Sequence, residues 1–255
     1  MEVALITVGD ELLSGDTVNT NANWLAARLA DRGATVTRVL TLPDSRETIA
    51  ARVSEYSEEF DRVIVTGGIG GTPDDITMEA VADAFGRELA ASELTREAVD
   101  QRLVEIQERL PDRELNVDRE AEAAIPEESR PLINEAGLAP GCVVDNVYVL
   151  PGIPSELKAM FESVAEEFAG DRRSEFCYTV EPEANIVWAL DEVMDRFAVT
   201  VGCYPDREAD HNRLKLTATD DAALDAAVDW LLSNINASET PVSRDWSTDE
   251  SVSTD

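Results

Sequence analysis

The sequence predicts an α/β protein: a three-layer αβα arrangement on a doubly wound, mostly parallel sheet, followed by a second, smaller α/β unit. Three observations predict it. Strand-like and helix-like segments alternate three times in the first third of the chain. The first three strand-like runs each end in a turn rich in glycine or acid, where a parallel sheet carries its ligand loops. After about Gly170 the pattern restarts with its own apolar residues. The 255 residues, 44% of them hydrophobic, suffice for one sizeable core and a small second one.

Each element has its own warrant. "EVALITVG" (Glu2–Gly9) is a short apolar run ending in glycine, as expected of a buried parallel strand. In "TNANWLAARLADRGA", Trp24, Leu25, Arg28 and Leu29 recur at helical spacing and Gly33 stands where a helix ends. "TVTRVLTLPD" (Thr35–Asp44) alternates and is β-branched, predicting a second strand. "SRETIAARVSEYSEEF" opens on Ser45 with Thr48 three residues on, predicting a capped helix. "DRVIVTGG" is a third strand, and "DITMEAVADAFGRE" a third helix. Ser92–Leu110 reads as a polar helix with an Ala98, Leu103, Ile106, Leu110 stripe. Pro111–Pro140, rich in charge and proline, is expected to wrap the sheet edge rather than add to its centre. "CVVDNVYVLPG" predicts a hairpin around Asp145–Asn146, and "PSELKAMFESVAEEFAG" a helix with Pro154 at its start and Gly170 past its end. These elements make a first domain, 1–170. In a second, 171–236, "RSEFCYTVE", "AVTVGCYPD" and "HNRLKLTATD" read as strands, and Ala184–Phe197 and "DAALDAAVDWLLSNI" as helices. Residues 237–255 are polar and acidic and are expected to be a disordered tail.

Composition narrows the function classes. The net charge is −32, and lysine occurs only at Lys158 and Lys215. An acidic surface can serve a basic partner or keep a protein hydrated in concentrated salt. The acid is spread along the whole chain, which favours the halophilic reading and argues against nucleic acid as a partner. No apolar run is long enough for a bilayer and the N-terminus lacks signal-peptide features, so a cytoplasmic protein with no membrane association is expected. Cys142, Cys177 and Cys203 are widely spaced without a CxxC pair, predicting buried free thiols.

Three loops converge on one sheet edge in this topology, and each carries acid: Asp10 and Glu11 after the first strand, Asp44 after the second, Asp74 and Asp75 after the third. The third, "VTGGIGGTPDDIT", places four glycines within five residues directly ahead of two aspartates. Glycine lets backbone N–H groups approach an anion, and a following helix N-terminus adds positive potential. The bland reading is a tight turn whose aspartate caps the helix. Asp74 is the expected cap, which leaves Asp75 free to hold a cation such as Mg²⁺, or to repel or orient a ligand phosphate. His211 is the only histidine and reads as an exposed or strand-end residue, so a histidine-based triad is excluded and acid–base work falls to carboxylates or metal-bound water.

Four segments in order, "VGDELLSGDTVNTNANWLA", "TGGIGGTPDDITMEAVA", "NEAGLAPG" and "LPGIPSELKAM", resemble the molybdopterin-binding (MoCF-type, MogA-like) domain as it occurs in the CinA family of competence/damage-inducible proteins. The resemblance covers about Met1–Gly170; the second unit, with "VGCYPD", is similar to the small module that follows this domain in CinA proteins. It does not extend to the family's amidase domain, so deamidase activity is not carried over. The resemblance places the ligand loop on Gly67, Gly68, Gly70, Gly71 and Thr72, with Asp75 and Thr77 following. Asp44 matches an aspartate that lies in the pocket of related enzymes. Asp10, Glu11, Ser14, Gly15 and Asn21 match the first loop; Asn134 and Gly141 match the third segment; Gly152, Pro154 and Glu156 match the fourth. Ile69 and Gly71 depart from the usual pattern without removing a catalytic group.

The resemblance implies two functions: binding of a molybdopterin-type pterin nucleotide without turnover, or hydrolysis of the pyrophosphate link in ADP-ribose or FAD. Hydrolysis would use a divalent metal on Asp44 and Asp75, which are then the catalytic candidates. A small nucleotide or pterin is the expected ligand, and relatives commonly form homo-oligomers.

Overall fold

The computed structural model describes residues 1–112 and 115–242. They form two compact units, one spanning Met1–Gly170 and one beginning at Asp171.

In the first unit the chain runs β1 (Glu2–Val8), α1 (Asp10–Ser14), α2 (Thr20–Asp31), β2 (Thr35–Leu42), α3 (Arg46–Glu59), β3 (Arg62–Thr66) and α4 (Thr77–Phe85). There follow β4 (Leu89–Ala91), α5 (Glu93–Arg109), α6 (Arg119–Glu122), β5 (Ala124–Pro126), β6 (Arg130–Leu132), β7 (Gly141–Val144), β8 (Val147–Leu150) and α7 (Pro154–Val164). The main sheet has the order β2-β1-β3-β8-β7-β6. Its first four strands are parallel; β7 and β6 add antiparallel at one edge. The helices cover both faces, which explains why β1 is apolar at consecutive positions. Ala4, Ile6 and Val8 enter one core with Ile49 and Val53 of α3 and Val81 of α4. Val3 and Leu5 enter the other with Leu25 and Leu29 of α2 and Leu157 and Phe161 of α7.

The sequence expectations hold for most of these elements and differ at definable places. Asp145 takes φ 53° at the β7–β8 turn, as the Asp–Asn hairpin requires. The Ser92 cap forms a full capping box with Thr95; of the predicted stripe Leu103 is buried, but it is joined on the inward face of α5 by Thr95 and Val99 rather than by Ala98, Ile106 and Leu110, and Leu110 is 40% exposed. The helix opened by Pro154 ends at Val164 and tightens into a 3₁₀ turn, Ala165–Phe168, before reaching Gly170. Pro111–Pro140 supplies α6, β5, which pairs with the earlier β4 in a separate two-stranded sheet, and the edge strand β6.

The second unit comprises β9 (Arg173–Thr179), α8 (Glu183–Arg196), β10 (Thr200–Asp206), β11 (His211–Ala218), α9 (Asp221–Asn234) and β12 (Ala237–Ser238). Its sheet, β10-β11-β9-β12, is antiparallel throughout, with α8 and α9 closing over Cys177, Leu214 and Leu216. Two expectations are corrected here. Ala237 and Ser238, placed in the disordered tail, pair with Thr179 and Tyr178; the tail from residue 243 lies outside the described residues. Cys142 and Cys177 are buried free thiols, whereas Cys203 is only half-buried. His211 opens β11, with its Nδ1 2.7 Å from the Val242 carbonyl oxygen. No helix among the described residues is long and apolar enough to cross a membrane.

Candidate functional site

The carboxyl ends of β1, β2 and β3 bring the three acidic loops together. Gly67 and Gly68 leave β3 at φ 101° and 65°, the left-handed region that excludes most side chains. A Cβ on Gly67 would collide with the Val8 carbonyl oxygen, and one on Gly68 would stand 2.5 Å from Thr77 Oγ1. The loop therefore lies directly on the end of β1 and on the first turn of α4. Gly67 N–H donates to the Leu150 carbonyl (3.2 Å), and Thr77 N–H to the Gly68 carbonyl (2.8 Å). The N–H groups of Gly68, Ile69, Gly70 and Gly71 donate to no protein group among the described residues.

Neither aspartate caps α4. The helix begins at Thr77 with Ile76 in the cap position and no side-chain cap bond. The reason is a turn closed by Asp75 N–H donating to the Thr72 carbonyl (2.9 Å), which places both aspartates ahead of the helix. Asp75 Oδ2 accepts from Thr72 N–H (3.0 Å) and from Thr72 Oγ1 (2.6 Å). Thr72 Oγ1 also lies 2.5 Å from Asp74 Oδ1, and this hydroxyl holds the Asp74 carboxyl below the usual range. The capping role expected of Asp74 is thus replaced by a bond to the threonine that Asp75 also grips.

Three cavities, of about 300, 280 and 360 Å³, meet at this loop, and Gly68 and Asp75 line all of them. The first lies toward α1 and α2 and includes Glu11, Asn21, Asp44, Asp74, Gly67, Gly152 and Pro154. The second lies toward α6 and includes Gly70, Gly71, Thr72, Glu79, Asp118 and Glu122. The third lies between the loop and the start of α7, and includes Glu122, Leu138, Ile153 and Glu156. No residue lining any of the three is Lys or Arg.

The remaining sequence candidates support the walls. Asp10 N–H donates to Asp44 Oδ2 (2.9 Å) and Asp44 N–H to Asp10 Oδ1 (3.3 Å), a reciprocal lock between two loops. Ser14 and Gly15 end α1 and line none of the three cavities. Asn21 Nδ2 donates to the Gly152 carbonyl (2.6 Å), and its Oδ1 is buried without a protein partner. Asn134 is buried; its amide donates to the Ala139 carbonyl and to Glu156 Oε2 (2.8 Å) and accepts from the N–H groups of Ala136 and Gly137. Gly141 is a packing residue of β7, where a Cβ would meet Met160 Sδ at 2.5 Å. Thr77, placed by resemblance in the ligand loop, is fully buried beneath Gly68.

Comparison with known proteins now bears on this arrangement. The family model described as a probable molybdopterin binding domain matches residues 4–170. The chain belongs to the molybdopterin-binding domain family. Beyond this domain, residues 173–242 match the model described as the middle domain of FAD synthase. A protein of Archaeoglobus fulgidus is 38% identical over 210 residues, covering 80% of this chain and 86% of that one. A CinA-like protein of Citrifermentans bemidjiense is 43% identical over 175 residues, which is 67% of this chain and 41% of that protein. The crystal structure of the protein CinA, of unknown function, from Thermoplasma acidophilum superposes with a TM-score of 0.57 at 32% identity, covering 66% of this chain and 97% of that one. The molybdopterin-binding domain here is thus CinA-like in sequence and in fold.

One residue escaped the sequence reading. Glu122, from the short α6, lines two of the cavities opposite Asp75, and its Oε2 lies 2.6 Å from where a Gly71 Cβ would be. Burial, and then the Asp75 carboxylate, push its carboxyl above the usual range. The only sequence signal was Asp118, which caps α6 by accepting from the N–H groups of Glu120 and Ala121.

As to a metal, among the described residues no group of three or more His, Cys, Asp or Glu side chains stands ready to hold an ion. Asp44 and Asp75 line the first cavity as two hard oxygen donors. That donor set does not make a cage; two carboxylates are the hard oxygen donors that an ion of the Mg²⁺ type takes.

Proposed function

We propose that the chain binds a diphosphate-linked nucleotide across the glycine loop and hydrolyses the diphosphate, in a substrate of the ADP-ribose or FAD class. The observation that carries the reading is a juxtaposition. The peptide N–H groups of Gly68 to Gly71 donate to no protein group among the described residues, while the surrounding cavities present carboxylates and no cationic side chain. A divalent cation on Asp44 and Asp75, when bound, supplies the positive charge such a ligand needs here.

The chain's own residues do the rest. The loop amides hold phosphate oxygens, and the Asp10–Asp44 lock and the Asn21–Gly152 bond fix the cavity walls. Water adds to one phosphorus, the bridging P–O bond breaks, and two phosphomonoesters leave, one of them AMP; the water's proton passes to a cavity carboxylate. The match of residues 173–242 to the FAD synthase middle domain supports a nucleotide substrate.

A second reading, a pterin-binding module without turnover, is supported by the matched domain family and by the third cavity, whose Ile69, Leu138, Ala139 and Ile153 form apolar walls. Purified protein with ADP-ribose or FAD, Mg²⁺ or Mn²⁺, and molar KCl tests the first. AMP release supports it. Tight pterin binding with no AMP would overturn turnover and leave the module.

A further inference from the structure

We infer that the sheet face of the second unit, on the side away from α8 and α9, is a stacking platform for single-stranded nucleic acid. Phe176, Tyr178 and Tyr204 take bases, and Arg213 and Lys215 take phosphates. The inference is independent of the glycine loop and of both readings above.

The strand register assembles the platform. Among the described residues, α8 and α9 pack on one side of the sheet β10-β11-β9-β12, against Cys177, Leu214 and Leu216. Side chains alternate along a strand, so Phe176 and Tyr178 of β9 and Arg213 and Lys215 of β11 project from the other side. Tyr204, Arg213 and Tyr178 form one row across β10, β11 and β9. Gly202, Lys215 and Phe176 form the next row, about 7 Å along the strands. A Cβ on Gly202 would stand 2.5 Å from Tyr204 Oη, so the tyrosine ring lies back across β10 where glycine gives it room. Tyr204 is 50% exposed. Arg213 Cζ lies 5.4 Å from the Phe176 ring centroid and 6.0 Å from that of Tyr204, and Lys215 Nζ lies 5.9 Å from that of Phe176.

Charge complementarity decides the occupant. The net charge of −32 argues against nucleic acid for the chain as a whole, but this face departs from it. It carries one of the chain's two lysines beside an arginine, with the only histidine at its end. Among the described residues neither Arg213 nor Lys215 forms an ion pair. Asp206, opposite His211 at that end, accepts from the N–H groups of Glu208 and Ala209 at 3.0 Å and closes its own turn. An acidic peptide would satisfy the two cations and leave three rings unused. A single strand uses both, its bases on the rings and its phosphates on the cations. A duplex keeps its base faces stacked on one another and has none to offer. In concentrated salt the phosphate contacts weaken while stacking persists, which suits a platform with three rings and two cations.

Fluorescence anisotropy of labelled uridylate and thymidylate octamers with the full chain, from half-molar to two-molar KCl, tests this. Both single strands should bind at least about tenfold more tightly than a duplex of equal length, and the tighter of the two names the strand. Tyr204→Ala, at an exposed position, should weaken binding about tenfold with its salt dependence unchanged, whereas Tyr204→Phe keeps the ring and should bind as the parent does. Arg213→Gln should instead lower the slope of log affinity against log salt by about one. Absent single-strand binding, a duplex or inorganic polyphosphate bound as tightly as the octamers, or parental affinity in Tyr204→Ala overturns the assignment. Oligoglutamate bound as tightly as the octamers would overturn it too, and give the face to an acidic protein partner.

Discussion

Replacing Asp75 by Asn separates its two roles at the centre of the site. The residue lines all three cavities and holds Thr72 through its Oδ2. Asn retains an acceptor for the Thr72 N–H, so the turn survives; losing charge assistance in a solvent-facing bond costs under about 1 kcal/mol. A compensating effect runs the other way, because the Asp75 carboxylate contributes to pushing Glu122 upward, and removing it relieves that repulsion at neutral pH. The thermal midpoint should therefore move by no more than about 4 °C. Cation binding should respond very differently. A unit charge pair about 4 Å apart at an effective dielectric of about 20 is worth roughly 4 kcal/mol. Even if solvent screening halves that, to about 2 kcal/mol, the affinity of a divalent ion shared with diphosphate falls roughly thirtyfold or more.

The assay is a calorimetric titration of Mg²⁺ or Mn²⁺ with ADP-ribose present, alongside AMP release, on the parent and Asp75→Asn at molar KCl. Asp44→Asn should behave the same way, since it offers the second oxygen donor from the loop after β2, which β1 separates from β3. Asp74→Asn, whose carboxylate accepts from the Thr72 hydroxyl, should cost less than tenfold. Parental cation affinity and AMP release in Asp75→Asn would refute the reasoning. So would a loss of binding accompanied by a large fall in thermal midpoint, which would mark the aspartate as structural.

Other predictions concern the fold around the site. Gly67→Ala must place a Cβ against the Val8 carbonyl oxygen at a φ of 101°, and should destabilise by about 3 kcal/mol or more, read as a lowered midpoint of chemical unfolding. Glu122 has a raised folded pKa, so its favourable contribution is fully present below its unfolded value and is lost as pH rises through the folded one. Glu122→Gln should accordingly unfold at a higher midpoint relative to the parent at pH 8 than at pH 4. With 53 acidic against 21 basic residues, the thermal midpoint should climb steeply from dilute to molar KCl as the Debye length shrinks from about 10 Å or more to about 3 Å; a flat response would remove the halophilic reading. In a thiol-labelling time course on folded protein at neutral pH, Cys203 should react first, because burial pushes the Cys142 and Cys177 thiols up to about 12 and about 11.

The parts legible in the sequence are those whose signal is local. β1 reads as a strand covered on both faces because residues 3–6 are apolar without a break, and the Asp145–Asn146 turn announces its hairpin in two residues. The glycine loop and Asp44 could be brought together from topology alone. What was illegible depends on tertiary return. β4, β5 and β6 are three residues each, too short for any periodicity. Glu122 reaches the site only because the segment before β5 folds back across the loop, and nothing within that segment distinguishes it from the acidic residues beside it. The cap assignment for Asp74 failed for a related reason. The spacing of an aspartate two or three residues ahead of an apolar helix fits a cap, but the Thr72–Asp75 turn takes up those residues before the helix begins.

That turn also explains why one loop carries both glycines and aspartates. Glycines at 67 and 68 let the chain lie against β1 and α4, and the absence of side chains at 70 and 71 leaves room for the carboxyl groups of Asp75 and Glu122, which stand 2.8 and 2.6 Å from where the missing Cβ atoms would be. The carboxylates are therefore packed into the space that the glycines vacate. Asp75, by gripping Thr72, holds the loop in the shape that leaves the Gly68–Gly71 amides available. A lysine in its place would attract phosphate more strongly but could not accept from Thr72, and the loop would lose its closing bond. An aspartate shapes the cradle but repels the anion, so a ligand phosphate is best accommodated when a cation comes with it. On this reasoning, binding of a diphosphate to this loop should depend on divalent cations even where no bond is broken, whereas binding of an uncharged ring in the third cavity should not.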